Sequence, residues 1–545
     1  MINKKNTWKA FSILFFLSCQ QPIDIELKKN NPPQTQLWAD SISKIVTSTI
    51  KLYWSGADPD GFVKGYFLTT NSKNWTWTTS TESTLTLMLG NKSLDTSNIK
   101  VSAADNEGNG IWDSKIEFGN ILFGSEPFVD ANKNGIYDFG ESFTDIGLID
   151  ETPAQIKLVV KNSPPSVSFN ISSTIPQITL PVATFDFKGT DPDGDATIKN
   201  YFVALNDTLN WTQLPTATSL ITIVADLSDT SKNIVTAKIL IGKKLEDLGI
   251  TIPNFKLNNN NRLYIYCQDG TGAKSKIKNM PDSSKTWYVQ KPKGRKKLLL
   301  VDEFGISSPD PDQVYYNILN LSLDKNGNTF SDYDVVELST NPIPKTIANL
   351  MLVETFKMYK IVFWYGKVVN FDLAQQIIPE YVNKGGNVLL STGFQNLSVA
   401  GIDPSQLSLD FAPIDSLITY YKSDTISISG FIPRVYSQSK ILAVDSTSQN
   451  KFPQLIFDRT ALFGTYALQN GFNENVLYRF DSAKATNPNN SEEKWIGKPA
   501  VITQSQNKKI IFSSIPLHLC NSLDSQNNPR LKLFFERIFK DEFGQ

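Results

Sequence analysis

The decapeptide KKLLLVDEFG, residues 296–305, is where this chain of 545 residues changes character. A basic pair runs into Leu298, Leu299, Leu300 and Val301, and that run ends in Asp302 and Glu303. A short unbroken apolar run closed by charge is the pattern of a strand buried on both faces of a parallel sheet, whereas a strand with one wet face alternates. Upstream, runs of β-branched and aromatic residues are broken by turns. Downstream, strand-like and helix-like segments alternate. The decapeptide therefore divides an all-β half from a half expected to be α/β.

Working downstream, the pattern predicts a helix over 311–321, a strand over 334–338, a helix over 347–358, the strand KIVFWYG over 360–366 and a helix over 373–384. That helix ends at Gly385 and Gly386, suited to a left-handed cap. The strand NVLLSTG follows over 387–393, then a β-rich stretch near 426–480, the strands PAVITQ and KKIIFSSIPLHL, and an amphipathic helix over 529–543. Such alternation implies a doubly wound parallel sheet. The piece YVNKGGNVLLSTGF, residues 381–394, resembles the class I glutamine amidotransferase-like superfamily, which has a flavodoxin-like fold. In catalytic members a cysteine sits on a sharp elbow at the position of Ser391, and a glycine precedes it where this chain has Leu389. His518 falls roughly where those relatives place their histidine.

The resemblance implies a ligand crevice beyond the carboxyl ends of the strands, gathering Asp302, Glu303, Tyr365, Ser391, Thr392 and His518. Two functions follow from it. One is a noncatalytic binding or assembly scaffold presenting a degenerate amidotransferase-like domain, with Ser391 and His518 merely closing the strands they follow. The alternative is an envelope hydrolase of an ester, amide or glycan, with Ser391 as nucleophile and His518 as base. Cys520, two residues from His518 on an expected strand end, would share its face. The missing elbow residues and the single histidine favour the scaffold. Neither a G-x-G-x-x-G after a strand nor a G-x-x-x-x-G-K-[ST] occurs, so nucleotide is not expected.

Upstream, the N-terminus reads as an address. Lys4, Lys5 and Lys9 precede a short apolar run over 10–17, and Ser18 stands directly before Cys19. That is the layout of a secretory signal, too short to span a bilayer. Residues 16–19, FLSC, resemble the lipobox of bacterial lipoproteins, with Phe16 where leucine is usual. The resemblance implies lipidation of Cys19 and anchoring in the bacterial cell envelope, at the outer membrane on its periplasmic or surface face. The membrane and an envelope protein or glycan are the partners expected; an ordinary cleaved signal is the plainer reading.

Between the address and the decapeptide, two blocks repeat. LYWSGADPDGFVKGYFLTT, Trp75 and VSAADNEG are answered by FDFKGTDPDGDATIKNYFVAL, Trp211 and IYCQDGTG. In each, proline presets a turn at Pro59 or Pro192, and Gly61 or Gly194 ends it. Trp75 and Trp211 are expected in the cores rather than as sugar platforms, and Cys267 as a buried small hydrophobe. Both blocks resemble fibronectin type III or related immunoglobulin-like modules, which implies spacing rather than catalysis. The expected division is a signal peptide over 1–18, a linker over 19–34, modules over 35–163 and 164–292, and the α/β domain over 296–545.

The first module carries an insertion before its closing strand, expected over 154–161. Within it Asp130, Asn132, Asn134, Gly135 and Glu141 fit the calcium loop D-x-[DN]-x-[DN]-G-x5-E without a mismatch. Alternate oxygens can face one ion, the Ile136 carbonyl can contribute, Asp138 can add a ligand and Glu141 can close the shell. Flanking glycines and Pro127 argue against paired helices, so the loop resembles those of dockerin or thrombospondin type 3 repeats, with calcium as a structural cofactor. The plainer reading is a surface turn without an ion.

Charge excludes one class of partner. Lys+Arg number 53 against Asp+Glu 54, so no field draws in nucleic acid. The basic run over 291–297 lacks aromatic interleaving and reads as a linker. Three cysteines and one histidine offer neither a disulfide framework nor a zinc site.

Overall fold

In a computed structural model, the chain is described over residues 29–544, apart from 40–45, 48, 88–93, 294–296, 307–309, 396, 398–401 and short stretches between 419 and 497. Cys19 and the expected signal segment lie outside the described residues. The chain divides into two compact units, Met1–Asn162 and Ser163–Gln545. Among the described residues no helix is long and apolar enough to cross a membrane.

In the first unit a three-stranded sheet (Gln34–Ala39, Thr49–Ala57, Glu82–Thr86) faces a five-stranded one in which Ala154–Lys161, Leu94–Asp105, Val63–Thr69 and Thr76–Thr78 lie side by side. Alternation along these strands turns Leu52, Trp54, Ile99, Val101 and Ala103 into one apolar core. Trp75 is not part of that core. It lies on the outer face of the larger sheet, 4.8 Å from the ring of Phe123, on the hairpin Ile116–Phe118 and Ile121–Gly124 that the insertion supplies.

The second unit opens with a sandwich built from five strands between Ser166–Phe169 and Glu246–Lys256, and four around Ile198–Leu205 and Leu263–Asp269. Phe185, Phe255 and Trp287 fill it, and the Trp287 indole donates to Thr179 Oγ1 at 2.9 Å. Cys267 is buried there as expected. Gly194 takes the positive φ that its turn requires, at 114°. Trp211, like Trp75, lies half-buried outside the sandwich core, edge-on to Tyr266 at 4.6 Å.

The decapeptide supplies the strand Leu298–Glu303, with Leu298 through Val301 almost fully buried. Parallel partners flank it: Asp334–Glu337 at the sheet edge, then Ile361–Gly366, Asn387–Thr392 and Ile510–Ser513 on the other side. The helices Pro311–Leu321, Lys345–Phe356 and Phe371–Asn383 connect them. Gly385 caps the third with φ 94°, and a side chain at Gly386 would strike the Tyr381 ring. Lys345–Phe356 is apolar around nearly its whole girth, which suits a helix buried on both sides. Its Ile347 and Met351 join the sandwich core, and its Leu352, Val353 and Phe356 join the sheet core.

The expected doubly wound, flavodoxin-like α/β domain is not what forms. The structure is 41% strand and 14% helix, with four short α-helices among the described residues. Helix–strand alternation stops after Asn387–Thr392, and the chain returns through antiparallel strands Ala500–Ser505, Glu474–Phe480 and Lys440–Ala443, making one mixed 11-stranded sheet. The reason is local: the β-rich stretch after residue 416 supplies strand-length segments where a doubly wound fold needs further crossover helices. The segment after Ile510–Ser513 also departs from expectation. His518 and Cys520 lie on the 3-10 helix Leu517–Cys520 rather than on a strand.

Candidate functional site

Neighbouring residues of a strand point to opposite faces, and this splits the expected crevice set. Asp302, Tyr365 and Ser391 share the face packed by Pro311–Leu321 and the C-terminal helix Arg530–Glu536, whereas Glu303 and Thr392 share the face packed by Lys345–Phe356 and Phe371–Asn383. No single crevice holds all of them.

On the second face both side chains hold loops in place. Glu303 Oε2 accepts from the Trp364 indole and from the Asn370 N–H, both at 3.1 Å. Burial pushes its carboxyl above the usual range, against those two donors. Thr392 Oγ1 accepts from the Val369 N–H at 3.1 Å and donates to the Gly393 carbonyl at 2.7 Å. The two residues thus fix the turn that enters Phe371–Asn383.

On the first face, Ser391 Oγ donates to the Ile515 carbonyl at 3.0 Å and accepts from the Leu517 N–H at 3.1 Å. Ser391 sits within a strand, buried, and not on an elbow. Its hydroxyl proton is directed at a backbone carbonyl rather than at a base. The His518 N–H donates to the Tyr315 hydroxyl at 2.9 Å, and its ring stands edge-on to Phe304 at 4.8 Å and Tyr315 at 5.9 Å. Cys520 is fully buried, which drives its thiol well above the ordinary value and away from the thiolate. Tyr365, expected to line an open crevice, is 1% exposed and donates its hydroxyl to Asp312.

Asp302 is a strongly perturbed carboxyl of this face. It accepts from the Phe304 N–H at 2.8 Å, yet burial, reinforced by Asp312, Glu337 and Asp310, raises its pKa to about 6. Asp312 is raised as well, chiefly by burial. Sequence reading missed Asp312, Tyr315 and Tyr316. The helix-start signal Asp310-Pro311 was visible, and a first-turn acid over the end of the preceding strand follows from it.

In the first unit the insertion closes on itself. Asp130 accepts from the N–H groups of Asn134 and Gly135, Glu141 from those of Ala131 and Asp138, and the Asn132 and Asn134 amides both donate to Asp138 Oδ2 at 2.6 and 2.8 Å. Gly135 has φ 77°, the sharp turn the motif needs, and Ile136 is exposed. Tyr137 stacks on Trp112 at 4.3 Å, and the missed residue Glu126 ties the insertion down through the Ile146 and Asp113 N–H groups. Among the described residues no group of three or more His, Cys, Asp or Glu is placed to hold a metal ion. The loop's oxygens come partly from asparagines, and the hard, all-oxygen set fits calcium by chemistry. Binding would require both amides to turn from Asp138 and present oxygen.

No family model and no curated protein matches the chain. Among solved structures it is similar to fibronectin(III)-like modules of CbhA from Clostridium thermocellum, at 11% identity and a TM-score of 0.17, covering 47% of this chain and 95% of that one. It is also similar to the purple acid phosphatase PPD1 from yellow lupin (Lupinus luteus) seeds, at 8% identity and a TM-score of 0.14, covering 66% of this chain and 57% of that one. At these scores neither carries an argument about function.

Proposed function

We propose that this chain acts by binding rather than by turnover, as a lipid-anchored scaffold of the bacterial envelope whose β-rich units hold a partner-capturing surface away from the membrane. The observation that supports this reading is the double commitment of Ser391 Oγ to backbone groups of the segment carrying His518. A serine nucleophile needs its proton aimed at a base, and here the Ser391 proton is aimed at the backbone carbonyl of Ile515. Lipidation at Cys19 is the proposed anchor, and calcium in the 130–141 loop is the proposed stabiliser of the first unit, with Asp130, Asn132, Asn134, Asp138, Glu141 and the Ile136 carbonyl as ligands.

The test is activity-based labelling of the whole protein with a fluorophosphonate probe, alongside crosslinking and recovery of partners from cells. The expected result is no covalent label on Ser391, and partner recovery unchanged by Ser391→Ala and His518→Ala. Labelling of Ser391 that depends on His518 would establish the hydrolase instead.

A further inference from the structure

Two sheet edges of the second unit meet across one cavity. The strand Asp334–Glu337 ends the 11-stranded sheet, and Ile178–Thr179 ends the small sheet formed with Tyr288–Val289 and Asn259–Asn260. Both line a cavity of about 290 Å³ floored by Ile343, Met351 and Leu352.

Backbone direction can be read at each edge. Leu338 donates its N–H to the Asp302 carbonyl at 2.8 Å, so alternate residues along this strand face inward and Val335 and Glu337 turn their backbone groups outward. On the other edge, Tyr288 and Gln290 donate to the carbonyls of Gln177 and Thr179, which leaves Ile178 facing out. Asn341 joins the edges at one end: its N–H donates to the Glu337 carbonyl at 3.1 Å and its side-chain amide to the Ile178 carbonyl at 2.7 Å. Beyond that staple the Val335 N–H and carbonyl face the cavity. Charge marks the two ends. Lys293, whose N–H donates to the Asp334 carboxylate at 3.0 Å, stands at the start of the strand, and Glu337 stands at its finish.

We propose that this cavity captures an extended peptide segment of a partner protein by strand addition to Asp334–Glu337, an apolar residue seated over Met351 and an acidic and a basic residue meeting Lys293 and Glu337. Edge strands that proteins do not cover are templates for pairing, and an added strand gains main-chain hydrogen bonds while pockets choose its side chains. At about 290 Å³ the cavity falls just below the roughly 300–1,000 Å³ usual for ligand pockets, which suits a few extended residues better than a large cofactor. The proposal rests on the binding reading above and names its partner class.

The test is fluorescence anisotropy of the whole protein with end-blocked, fluorescein-labelled Glu-Ile-Val-Ile-Lys and its reverse, the preferred order reporting parallel or antiparallel addition. Val335→Pro removes the outward N–H and leaves the inward ladder intact, since proline is tolerated at sheet edges. It should weaken binding about tenfold, the scale of one main-chain hydrogen bond. Met351→Trp, which fills the floor, should weaken it at least as much, and a peptide N-methylated at its central valine should bind less well than its parent. No binding of either peptide at about 1 mM, or equal binding by wild type and both variants, overturns the proposal. So does uptake of cis-parinaric acid that Met351→Trp alone abolishes, which would make the occupant an acyl chain. Fluorophosphonate labelling of Ser391 is read separately, so failure of the peptide site and failure of the noncatalytic reading remain distinguishable.

Discussion

Replacing Asp302 by asparagine should stabilise the second unit above neutral pH and leave it unchanged in acid. Asp302 is buried at its strand end with its carboxyl partly screened and near the like charges of Asp312, Glu337 and Asp310, so the folded state holds its proton up to about pH 6, against an ordinary 3.8. A folded pKa above the unfolded one means the native state binds more protons between those values, so stability is fullest below pH 3.8 and falls as pH rises through 6. At about 1.4 kcal/mol for each tenfold change in proton affinity, the full penalty is about 3 kcal/mol. Partial solvent access at a strand end reduces it to about 2 kcal/mol. Asparagine keeps the acceptor for the Phe304 N–H and carries no charge, so it removes the penalty. With about 2.1 cal/mol/K of unfolding entropy per residue, the unit Ser163–Gln545 should gain about 2–3 °C in Tm at pH 8. Differential scanning calorimetry at pH 4, 6 and 8 should show the gain vanish at pH 4. A variant no more stable than wild type at pH 8, or a gain that grows toward acid, would refute the reasoning.

Four further outcomes follow from the same structure. Ser391→Ala should cost about 1–3 kcal/mol in urea denaturation, because the buried Leu517 N–H and Ile515 carbonyl lose their partner; no loss would mean that the segment relaxes around the gap. Asp324, 1% exposed, would be raised by burial, but Lys297 at 2.7 Å and the Asn328 and Asn326 N–H groups outweigh this and hold it well below the carboxylate range. Lys297→Met should therefore cost about 3 kcal/mol at pH 7, a loss that shrinks as pH falls and Asp324 takes a proton; a cost independent of pH would point to packing instead. Chelator should lower the Tm of the first unit, by about 1.8 kcal/mol of lost binding for a 10⁻⁴ M site in about 2 mM calcium, and Glu141→Ala should abolish the difference; absence of calcium uptake in titration calorimetry makes the loop a turn only. Cys19→Ser should abolish acyl labelling and leave the chain uncleaved or soluble, each buried methylene of the lost chains contributing about 0.8 kcal/mol; unchanged membrane fractionation together with unchanged acyl label would refute lipidation there.

Much of the local structure was legible because it is set by neighbours in sequence. The run Leu298 to Val301 reads as a strand buried on both faces and forms one, Pro311–Leu321 is the helix expected after it, and Ala154–Lys161 is the closing strand expected for the first module. The glycine pair after Lys384 was legible as a helix stop, and Gly385 takes the positive φ of the expected cap, whereas the contact that keeps Gly386 free of a side chain, the Tyr381 ring, is seen only in the structure.

What the sequence could not decide was which distant surfaces would share those elements. Residues from 416 onward read as β-rich, but whether they would form a separate lobe or extend the parallel sheet with antiparallel strands depends on long-range pairing, which carries no local signature. Trp75 and Trp211 were expected in the sandwich cores because they are large and apolar, yet both lie half-buried outside them, against a hairpin in one module and against Tyr266 in the other. The candidate site shows the same division. Asp302, Glu303, Ser391 and Thr392 were correctly placed at strand ends, because a run of apolar residues closed by polar ones says as much. Their sorting onto two faces of the sheet, the capture of Ser391 by the turn after Ile510–Ser513, and the meeting of two sheet edges at Asn341 were decided by tertiary packing, since contacts separated by more than a hundred residues follow from how whole elements bury their apolar faces.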